Sequence, residues 1–317
     1  MSDLGTAVVT GAAGFIGSHL SEALVARGHD VVGVDAFTDY YDPAVKRRNI
    51  ATLLAGPRFR LLELDLAKDA LSALPARPRW VFHLAAQPGV RASWGAEFAT
   101  YASHNVLATQ RLLEHVKDGG GTEKVVVASS SSVYGDAERL PTSETDLPRP
   151  YSPYGVTKLA AEHLALLYAR NFGVPAVALR YFTVYGPRQR PDMGFHRFIQ
   201  ALLADRPIGV HGDGEQTRDF TFVADAVAAN LAAAERGVSG TAYNVGGGSR
   251  VSVNDVLDRL GRLAGRAPRI ERGPAQPGDP RDTGADIARA ARDLGWSPEV
   301  ALDEGLARQL AWQREAS

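Results

Sequence analysis

The sequence contains no cysteine, which excludes a disulfide framework and a thiolate metal site, and no other metal site is predicted. No run of residues approaches the ~20 consecutive apolar residues of a membrane-spanning helix. The N-terminus leads into a strand pattern without a basic segment or cleavage site. A formal net charge of -1 gives no bulk electrostatic reason to expect a nucleic acid or an anionic membrane as partner. These absences favour a soluble, cytoplasmic protein, and 317 residues allow one large α/β unit or two lobes.

A glycine-rich turn follows the first strand pattern, Thr6 to Thr10. Glycines at 11, 14 and 17 allow a tight turn, close approach of the backbone to a pyrophosphate and tight packing of a helix on the strand. The second strand pattern, Asp30 to Val34, leads into Asp35, 18 residues after Gly17. Its carboxylate can accept both ribose hydroxyls of NAD and would repel the 2′-phosphate of NADP. Because no basic residue follows Asp35 immediately, NAD is favoured over NADP.

Strand and helix patterns alternate through the first 180 residues, with further strands at Phe59 to Leu64, Trp80 to Leu84, Lys124 to Ser129 and Ala176 to Arg180. This alternation predicts an α/β fold with a Rossmann-type, doubly wound parallel sheet. After Arg180 an aromatic, proline-rich and basic stretch begins, which marks a smaller, C-terminal substrate lobe. Since residues 223–234 and 242–245 are expected to return to the sheet, we predict interleaved parts: a dinucleotide-binding domain over 1–180 with 219–246, and the lobe over 181–218 and 247–317.

Two further stretches stand at the ends of strand patterns, where such sheets bind ligands. Asp65 and Leu66 could reach an adenine, although Asp65 could equally be the N-cap of a short helix. The small residues after His83 would let the backbone approach a cofactor, and His83 itself is interpreted as a core histidine. Ala92 to Val116 is predicted to be one long helix. This helix and the one that begins at Pro153 could pair with their copies in a homodimer, or could simply present ordinary core faces.

A helix start carries the candidate chemistry. Ser152 is a good N-cap and Pro153 suits the first helical position, so the pattern predicts a helix that continues to Phe172. Tyr154 and Lys158 stand four residues apart and therefore share one helix face. A phenol with a pKa of about 10 is a poor base at neutral pH, but a cation one turn away favours the phenolate. Tyr154 is a candidate proton acceptor, although chance explains most such pairs on a solvated helix.

The ordered combination of these motifs resembles an extended short-chain dehydrogenase/reductase of the nucleotide-sugar type. It consists of the three glycines, Asp35, His83-Leu-Ala-Ala, the serine loop at 129–135 and Tyr154-x-x-x-Lys158, and it covers nearly the whole chain. Finer motifs are similar to those of UDP-glucuronate 4-epimerases, namely Phe37 to Pro43 with Lys46-Arg47, Gln87 to Arg91, Tyr181 to Pro187 and Arg190 to Met193. The chain departs from that pattern at Pro88, where a small residue is expected, and at Arg188-Gln189.

The resemblance implies an NAD-dependent epimerase that interconverts UDP-glucuronic acid and UDP-galacturonic acid through a 4-keto intermediate. The catalytic residues it implies are Tyr154, Lys158 and Ser130. Its cofactor-binding residues would be Gly11, Gly14, Phe15, Ile16, Gly17, Asp35, Asp65, Leu66, Leu84, Ala85, Ala86, Gln87, Tyr154, Lys158 and Tyr181. The substrate-binding residues would be Ser130, Ser132 and Thr183, with Arg190, Arg218 and Arg281 on the pyrophosphate. Asn105 is expected near the site, or is a structural helix asparagine.

Three alternatives remain open: a UDP-glucuronate decarboxylase, a UDP-glucose 4-epimerase and a regulator that only senses the dinucleotide. Related decarboxylases carry Glu at the place of Ser132, and related UDP-glucose 4-epimerases usually carry Asn at the place of Thr183, so both residues favour the glucuronate epimerase. Related dehydratases carry Asp-Glu just after the hydroxyl residue, where this chain has only serines. A non-catalytic dinucleotide-sensing regulator could use the same fold, but it would have no need of Tyr154, Lys158 and Ser130 together.

Overall fold

A computed structural model describes residues 4–275 and 278–316, so residues 1–3, 276–277 and 317 of the predicted domain ranges lie outside the described residues. The strands are β1 (Thr6–Thr10), β2 (Asp30–Asp35), β3 (Phe59–Glu63), β4 (Trp80–His83), β5 (Lys124–Ser130), β6 (Ala176–Tyr181), β7 (Thr183–Tyr185), β8 (Ile208–His211), β9 (Thr217–Phe222), β10 (Ala242–Val245), β11 (Arg250–Ser252) and β12 (Ile270–Gly273).

The α-helices alternate with these strands. They are α1 (Phe15–Ala26), α2 (Pro43–Asn49), α3 (Ala51–Leu54), α4 (Phe98–Tyr101), α5 (Ala108–Gly119), α6 (Pro153–Phe172), α7 (Gly194–Leu203), α8 (Val223–Arg236), α9 (Val253–Ala264), α10 (Ala288–Leu294) and α11 (Leu302–Ala316). Short 3₁₀ turns span Leu71–Ala73, Arg91–Ser93, Gly95–Glu97 and Ser131–Val133, and a π-helical segment spans Ala102–Leu107. No helix in the described part of the chain is both long and apolar enough to cross a membrane.

Seven strands form one parallel sheet in the order β10-β6-β5-β4-β1-β2-β3. The chain starts at β1, builds outward to β3, and then crosses to β4 on the other side of β1. The strand order therefore reverses between β1 and β4, and such a switch point opens a crevice at the carboxyl ends of the strands. This topology confirms the predicted doubly wound α/β fold and fixes where a ligand can enter.

Side-chain alternation along the central strands builds a core on each face of the sheet. In β5, Val126 faces an apolar cluster that includes residues of α1 and α8, whereas Val125 and Val127 face a second cluster with residues of α5 and α6. Successive side chains of a strand point to opposite faces, so one buried strand serves both clusters. Because helices cover both faces, the carboxyl edge of the sheet is the open side on which the site lies.

The prediction of one long helix from Ala92 to Val116 is wrong in its first part. Two 3₁₀ turns occupy this stretch before α4 begins, and Gly95 has a φ of 67°, outside the right-handed helical region. Between α4 and α5 the backbone is π-helical, and the Thr109 hydroxyl donates to the Asn105 carbonyl at 2.6 Å. A π-helical turn changes which way its side chains point, so it redirects Asn105.

The smaller lobe contains a three-stranded sheet, β11-β9-β7, and the strand pair β12-β8. Residues of α7, α9 and α11 pack with these strands around their own apolar cluster. The sequence assigned everything after residue 246 to this lobe, but Ala290, Leu294 and Trp296 pack in the cluster of α1 and α8 beside the large sheet. The two parts are thus more interleaved than expected, and the division into two functional lobes stays a prediction.

Candidate active site

A cavity opens at the carboxyl ends of the large sheet, at the switch point between β1 and β4. The residues predicted to bind a cofactor line it together: Gly11, Gly14, Phe15, Ile16, Gly17, Asp35, Asp65, Leu66, Leu84, Ala85, Ala86, Gln87, Tyr154, Lys158 and Tyr181. The same cavity is lined by residues that were not predicted for it, including Tyr40, Tyr41, Lys46 and His104. One concave site therefore joins the glycine turn, the end of β2 and the first turn of α6.

Two glycines of the turn after β1 are required by close backbone contacts. A side chain at Gly17 would place its Cβ 2.1 Å from the Gly11 carbonyl oxygen, and one at Gly11 would lie 2.9 Å from the Ala85 nitrogen. Gly11 also has a φ of 70°, which favours glycine. No side chain caps the first turn of α1 at Gly14. The turn thus offers uncapped helical amide groups at the cavity, which is the arrangement that binds phosphate.

Asp35 is fixed by three donors at the end of β2. The backbone N–H of Phe37 donates to its Oδ1 at 2.9 Å and that of Ala13 to its Oδ2 at 3.3 Å. The Lys46 ammonium group donates to Oδ1 at 3.1 Å, and both side chains of this ion pair are buried. Lys46 was not predicted as a partner of Asp35, although Asp42 and Pro43 mark the start of the helix that carries it. The Asp35 carboxylate therefore has a cation beside it, the ammonium group of Lys46, which stands eleven residues further along the chain.

Tyr154 and Lys158 line the cavity one turn apart on α6, whose N-cap hydroxyl on Ser152 accepts from the Gly155 N–H at 3.2 Å. Burial raises the pKa of the Tyr154 phenol, while a hydrogen bond with Ser130 and the charge of Arg190 act in the opposite direction. Burial outweighs the protein's own groups that favour the phenolate, and the effect of Lys158 on this pKa stays a prediction. Burial also lowers the pKa of Lys158 to about 8, against the charge of Glu162.

The serine loop continues β5 and reaches α6. Ser130 lies opposite Tyr181 in the β5-β6 register, and its hydroxyl accepts from the Ser132 N–H at 3.1 Å. Ser129 lines the cavity and donates to the Glu162 carboxylate at 2.6 Å. Ser130, Ser132 and Thr183 are not among the described residues that line the cavity; Ser130 ends β5, and the other two follow the ends of β5 and β6. The loop thus places the Ser130 hydroxyl at the phenol, where it hydrogen-bonds Tyr154.

The three predicted arginines have different surroundings. Arg190 lines the cavity and donates two hydrogen bonds of 3.0 Å to Asp192, which also accepts from the Tyr40 hydroxyl at 3.3 Å. The guanidinium of Arg218 donates to the backbone carbonyls of Thr217 and Arg281. Arg281 pairs with Asp213 in an exposed bidentate bridge at 2.9 and 3.0 Å. Of the three, the structure brings Arg190 to the cavity and leaves the other two together in the lobe.

Two buried polar residues support the cavity from behind. The Asn105 side chain accepts from the Gln87 N–H at 2.6 Å, and its amide donates to the Gln87 carbonyl and to the Thr157 hydroxyl. Thr157 in turn donates to the Tyr154 carbonyl at 2.8 Å, so Asn105 ties the loop after β4 to α6. His83 lies between the hydroxyls of Thr10 and Thr109, and burial lowers its pKa to about 3. Its interpretation as a core histidine is confirmed.

A family model described as the NAD dependent epimerase/dehydratase family matches residues 7–246, which span the glycine turn, the serine loop and the Tyr-Lys pair. The chain belongs to this family. The resemblance of its sequence motifs to nucleotide-sugar epimerases is thereby confirmed, and so is the prediction of an NAD-dependent epimerase-type enzyme.

Relatives of this family member match over nearly their whole length. The UDP-glucuronate 4-epimerase of Thermodesulfobacterium geofontis (strain OPF15) is 38% identical over 98% of this chain and 97% of its own. The uncharacterized UDP-glucose epimerase YtcB of Bacillus subtilis (strain 168) is 43% identical over 96% of each chain. The crystal structure of the Bacillus cereus UDP-glucuronic acid 4-epimerase in complex with UDP-glucuronic acid and NAD has a TM-score of 0.95 and 43% identity, covering 98% of this chain and 100% of that one.

Proposed function

We infer that this protein is a UDP-glucuronate 4-epimerase, which interconverts UDP-glucuronic acid and UDP-galacturonic acid with NAD as cofactor. The observation that carries the inference is the joint placement of Tyr154, Lys158 and the glycine turn in one cavity of an epimerase family member. A regulator that only senses the dinucleotide would not need a buried Tyr-Lys pair there. The similarity to glucuronate epimerases over the whole chain supports the sugar.

The residues of the cavity fit NAD in their chemistry. The uncapped first turn of α1 would hold the pyrophosphate, the fixed carboxylate of Asp35 would accept the adenosine ribose hydroxyls, and Asp65 with Leu66 would contact the adenine. Backbone groups of Ala85 to Gln87 would line the path to the reacting end. When bound, NAD takes a hydride from C4 of the sugar and returns it to the opposite face, so the reaction has no net redox change.

Tyr154 is proposed to accept the proton of the sugar's 4-hydroxyl as the hydride leaves C4, which gives a 4-keto sugar. It returns the same proton to the C4 oxygen when the hydride comes back. Its phenolate is disfavoured by burial, and the Ser130 hydroxyl and the charge of Arg190 offset part of that cost. Lys158 contributes a cation one turn away on the same helix face. Ser130 is proposed to stay hydrogen-bonded to the reacting oxygen as charge develops there.

The sugar carboxylate is proposed to bind the hydroxyls of Ser132 and Thr183. Ser130 and Tyr181 are register partners at the ends of β5 and β6. Ser132 stands two residues after Ser130, and Thr183 stands two residues after Tyr181. Hydroxyls can donate to a carboxylate, whereas a glutamate there would repel it. Holding the carboxylate out of the perpendicular alignment would prevent loss of CO₂ from the β-keto acid. Thr183→Val is expected to lose glucuronate turnover while it retains NAD.

The diphosphate of the substrate is proposed to bind Arg190, Arg218 and Arg281. Arg190 supplies a guanidinium at the cavity, and the other two lie in contact with each other in the lobe. Bidentate guanidinium groups suit phosphate oxygens. Firm anchoring of the nucleotide through these residues, with looser contacts to the sugar, would allow the 4-keto ring to turn over between the two hydride transfers.

UDP-glucose 4-epimerase activity is the second candidate, because the relative YtcB carries that description at 43% identity. The deciding experiment incubates the purified protein separately with UDP-glucuronate and UDP-glucose, without added reductant, and analyses the products by NMR. UDP-galacturonate as product supports the inference, and UDP-galactose alone supports the second candidate. A UDP-pentose would indicate decarboxylation. Retained NAD binding without turnover of either sugar would favour a regulator.

A homodimer and a cytoplasmic location are part of the same proposal. Large apolar side chains remain exposed on α6 and on the segment from α4 to α5, among them Phe98, Leu107, Val156 and Leu167. These helices pack against each other and form one face, which a second copy could cover by two-fold symmetry. Sedimentation showing a monomer at micromolar concentration would contradict the dimer, and microscopy of a fluorescent fusion would check the location.

A further inference from the structure

A buried ion pair stands directly behind the Tyr-Lys pair. Glu162 lies one helical turn beyond Lys158 on α6 and is 1% exposed. Arg180 of β6 donates to both of its oxygens, from Nε at 2.9 Å and from Nη2 at 2.6 Å. The Ser129 hydroxyl donates to Oε2 at 2.6 Å. Both carboxylate oxygens are therefore held in place by fixed donors.

The pair continues into the sheet on its other side. The remaining guanidinium nitrogen of Arg180 donates to the Tyr134 hydroxyl at 2.7 Å, and that hydroxyl donates to Asn244 Oδ1 at 2.7 Å. Asn244 lies on β10 and donates to the carbonyls of Thr142 and Asp286. This chain of bonds fixes Glu162 relative to β5, β6 and β10. Apolar side chains of the same volume are often as stable as a buried ion pair, so stability alone does not explain this one.

The charges around Lys158 indicate a function for the ion pair of Glu162 and Arg180. His83 of β4 is neutral there, since its pKa is about 3, and Ser129 of β5 presents an uncharged hydroxyl. Burial raises the pKa of Tyr154 on the same helix, whereas the charge of Arg190 acts on that phenol in the opposite direction, and the Tyr101 ring packs edge-on against it. Glu162 is the carboxylate among the described residues that opposes the effect of burial on the Lys158 pKa.

We propose that Glu162 is a positioning residue that acts through Lys158, because its carboxylate, fixed by Arg180 and Ser129, is the counter-charge that keeps the buried ammonium group protonated beside Tyr154. Arg180 holds the carboxylate in the required rotamer and does not touch the cavity. The proposal rests on the epimerase function inferred above. Its consequence is that Glu162 determines the pH range in which the site works, in addition to its part in packing.

The test is the pH dependence of UDP-glucuronate turnover in Glu162→Gln and in the unmodified protein. The Lys158 pKa of about 8 predicts an alkaline limb near that pH, where the ammonium group loses its proton. Removing the carboxylate lowers this pKa further, so the limb should move toward lower pH by roughly one pH unit, as expected for loss of an opposite charge nearby. Glu162→Asp keeps the charge and should keep the limb where it is in the unmodified protein.

A purely structural role would lower turnover equally at every pH, and an unmoved limb in Glu162→Gln would therefore overturn the proposal. If that variant fails to fold because Arg180 is left unpaired, Glu162→Gln/Arg180→Met removes both charges together. Its limb should move in the same direction by a smaller amount, because the Arg180 cation no longer offsets part of the carboxylate charge. A limb at the original pH in that variant overturns the proposal equally. Absence of UDP-galacturonate with the unmodified protein contradicts the proposed function instead, so the two failures are distinguishable.

Discussion

The two ends of the proposed substrate path are built in different ways. The dinucleotide end, consisting of the glycine turn and Asp35, comes from 25 consecutive residues of one β-α-β unit, and backbone N–H groups of the same unit and of Phe37 hold the buried Asp35 carboxylate. The arginine group, consisting of Arg190, Arg218 and Arg281, comes from three distant segments, and its members pair with acids or backbone carbonyls. A site made locally is already in place, whereas the arginine group must exchange partners to bind a diphosphate.

The reacting centre between these two ends should give the largest effect. Tyr154→Phe removes the proposed proton acceptor without removing the ring, so turnover should fall by roughly 10²- to 10⁴-fold. NAD should remain bound, because the glycine turn and Asp35 are unchanged. Product formation and bound NAD are measured on the same preparation. Tyr168→Phe, on the same helix but hydrogen-bonded to Glu114 away from the cavity, is the matched control. Comparable turnover in the two variants would contradict the role of Tyr154.

A single added methyl group in the glycine turn should be enough to weaken NAD binding at the dinucleotide end. In Gly17→Ala the new Cβ would lie 2.1 Å from the Gly11 carbonyl oxygen, so the turn has to move. NAD affinity should fall roughly a hundredfold, or about 2.8 kcal/mol, as measured by titration calorimetry. Gly209→Ala is the control, because a Cβ there meets no atom within 4 Å. Equal NAD affinity in both variants would show that the turn does not form the phosphate site.

Local order explains what the sequence could predict. The strands, the glycine turn and the first turn of α6 follow from short patterns, and these predictions of the fold are confirmed. Asn105 depends on a π-helical segment, for which the apolar spacing of the helix gives no signal. The effect of burial on the Tyr154 pKa depends on everything packed around α6, so the spacing of Tyr154 and Lys158 gives no signal for it. Contacts between distant segments are what sequence patterns cannot supply.

The contact of Lys46 with Asp35 at the dinucleotide end is one that the sequence patterns did not predict, and it can be tested. Asp35→Ser removes the acceptor of the ribose hydroxyls, and NAD affinity should fall at least roughly tenfold, since hydrogen bonds to charged groups contribute about 1.5–3 kcal/mol and each 1.4 kcal/mol is a factor of about ten. The same change frees the Lys46 ammonium group for a 2′-phosphate, so NADP affinity should rise. Asp35→Ser/Lys46→Met should lose that gain. NADP affinity that rises equally in the single and double variants would mean that Lys46 has no part in discrimination.

Substitution in the arginine group should give the smallest effect, a change in the KM for UDP-glucuronate. The control variant should leave this KM unchanged or change it in the opposite direction. Arg281 is half exposed and already paired with Asp213, so a diphosphate gains only what remains after this exposed bridge is broken. Arg281→Ala should raise the KM for UDP-glucuronate roughly three- to tenfold with NAD affinity unchanged, because one guanidinium contact of several is lost. Asp213→Asn keeps the shape of the partner and frees Arg281, so it should leave the KM unchanged or lower it. A raised KM in both variants would mean that the bridge itself shapes the lobe, and that Arg281 acts through Asp213 instead of through the substrate.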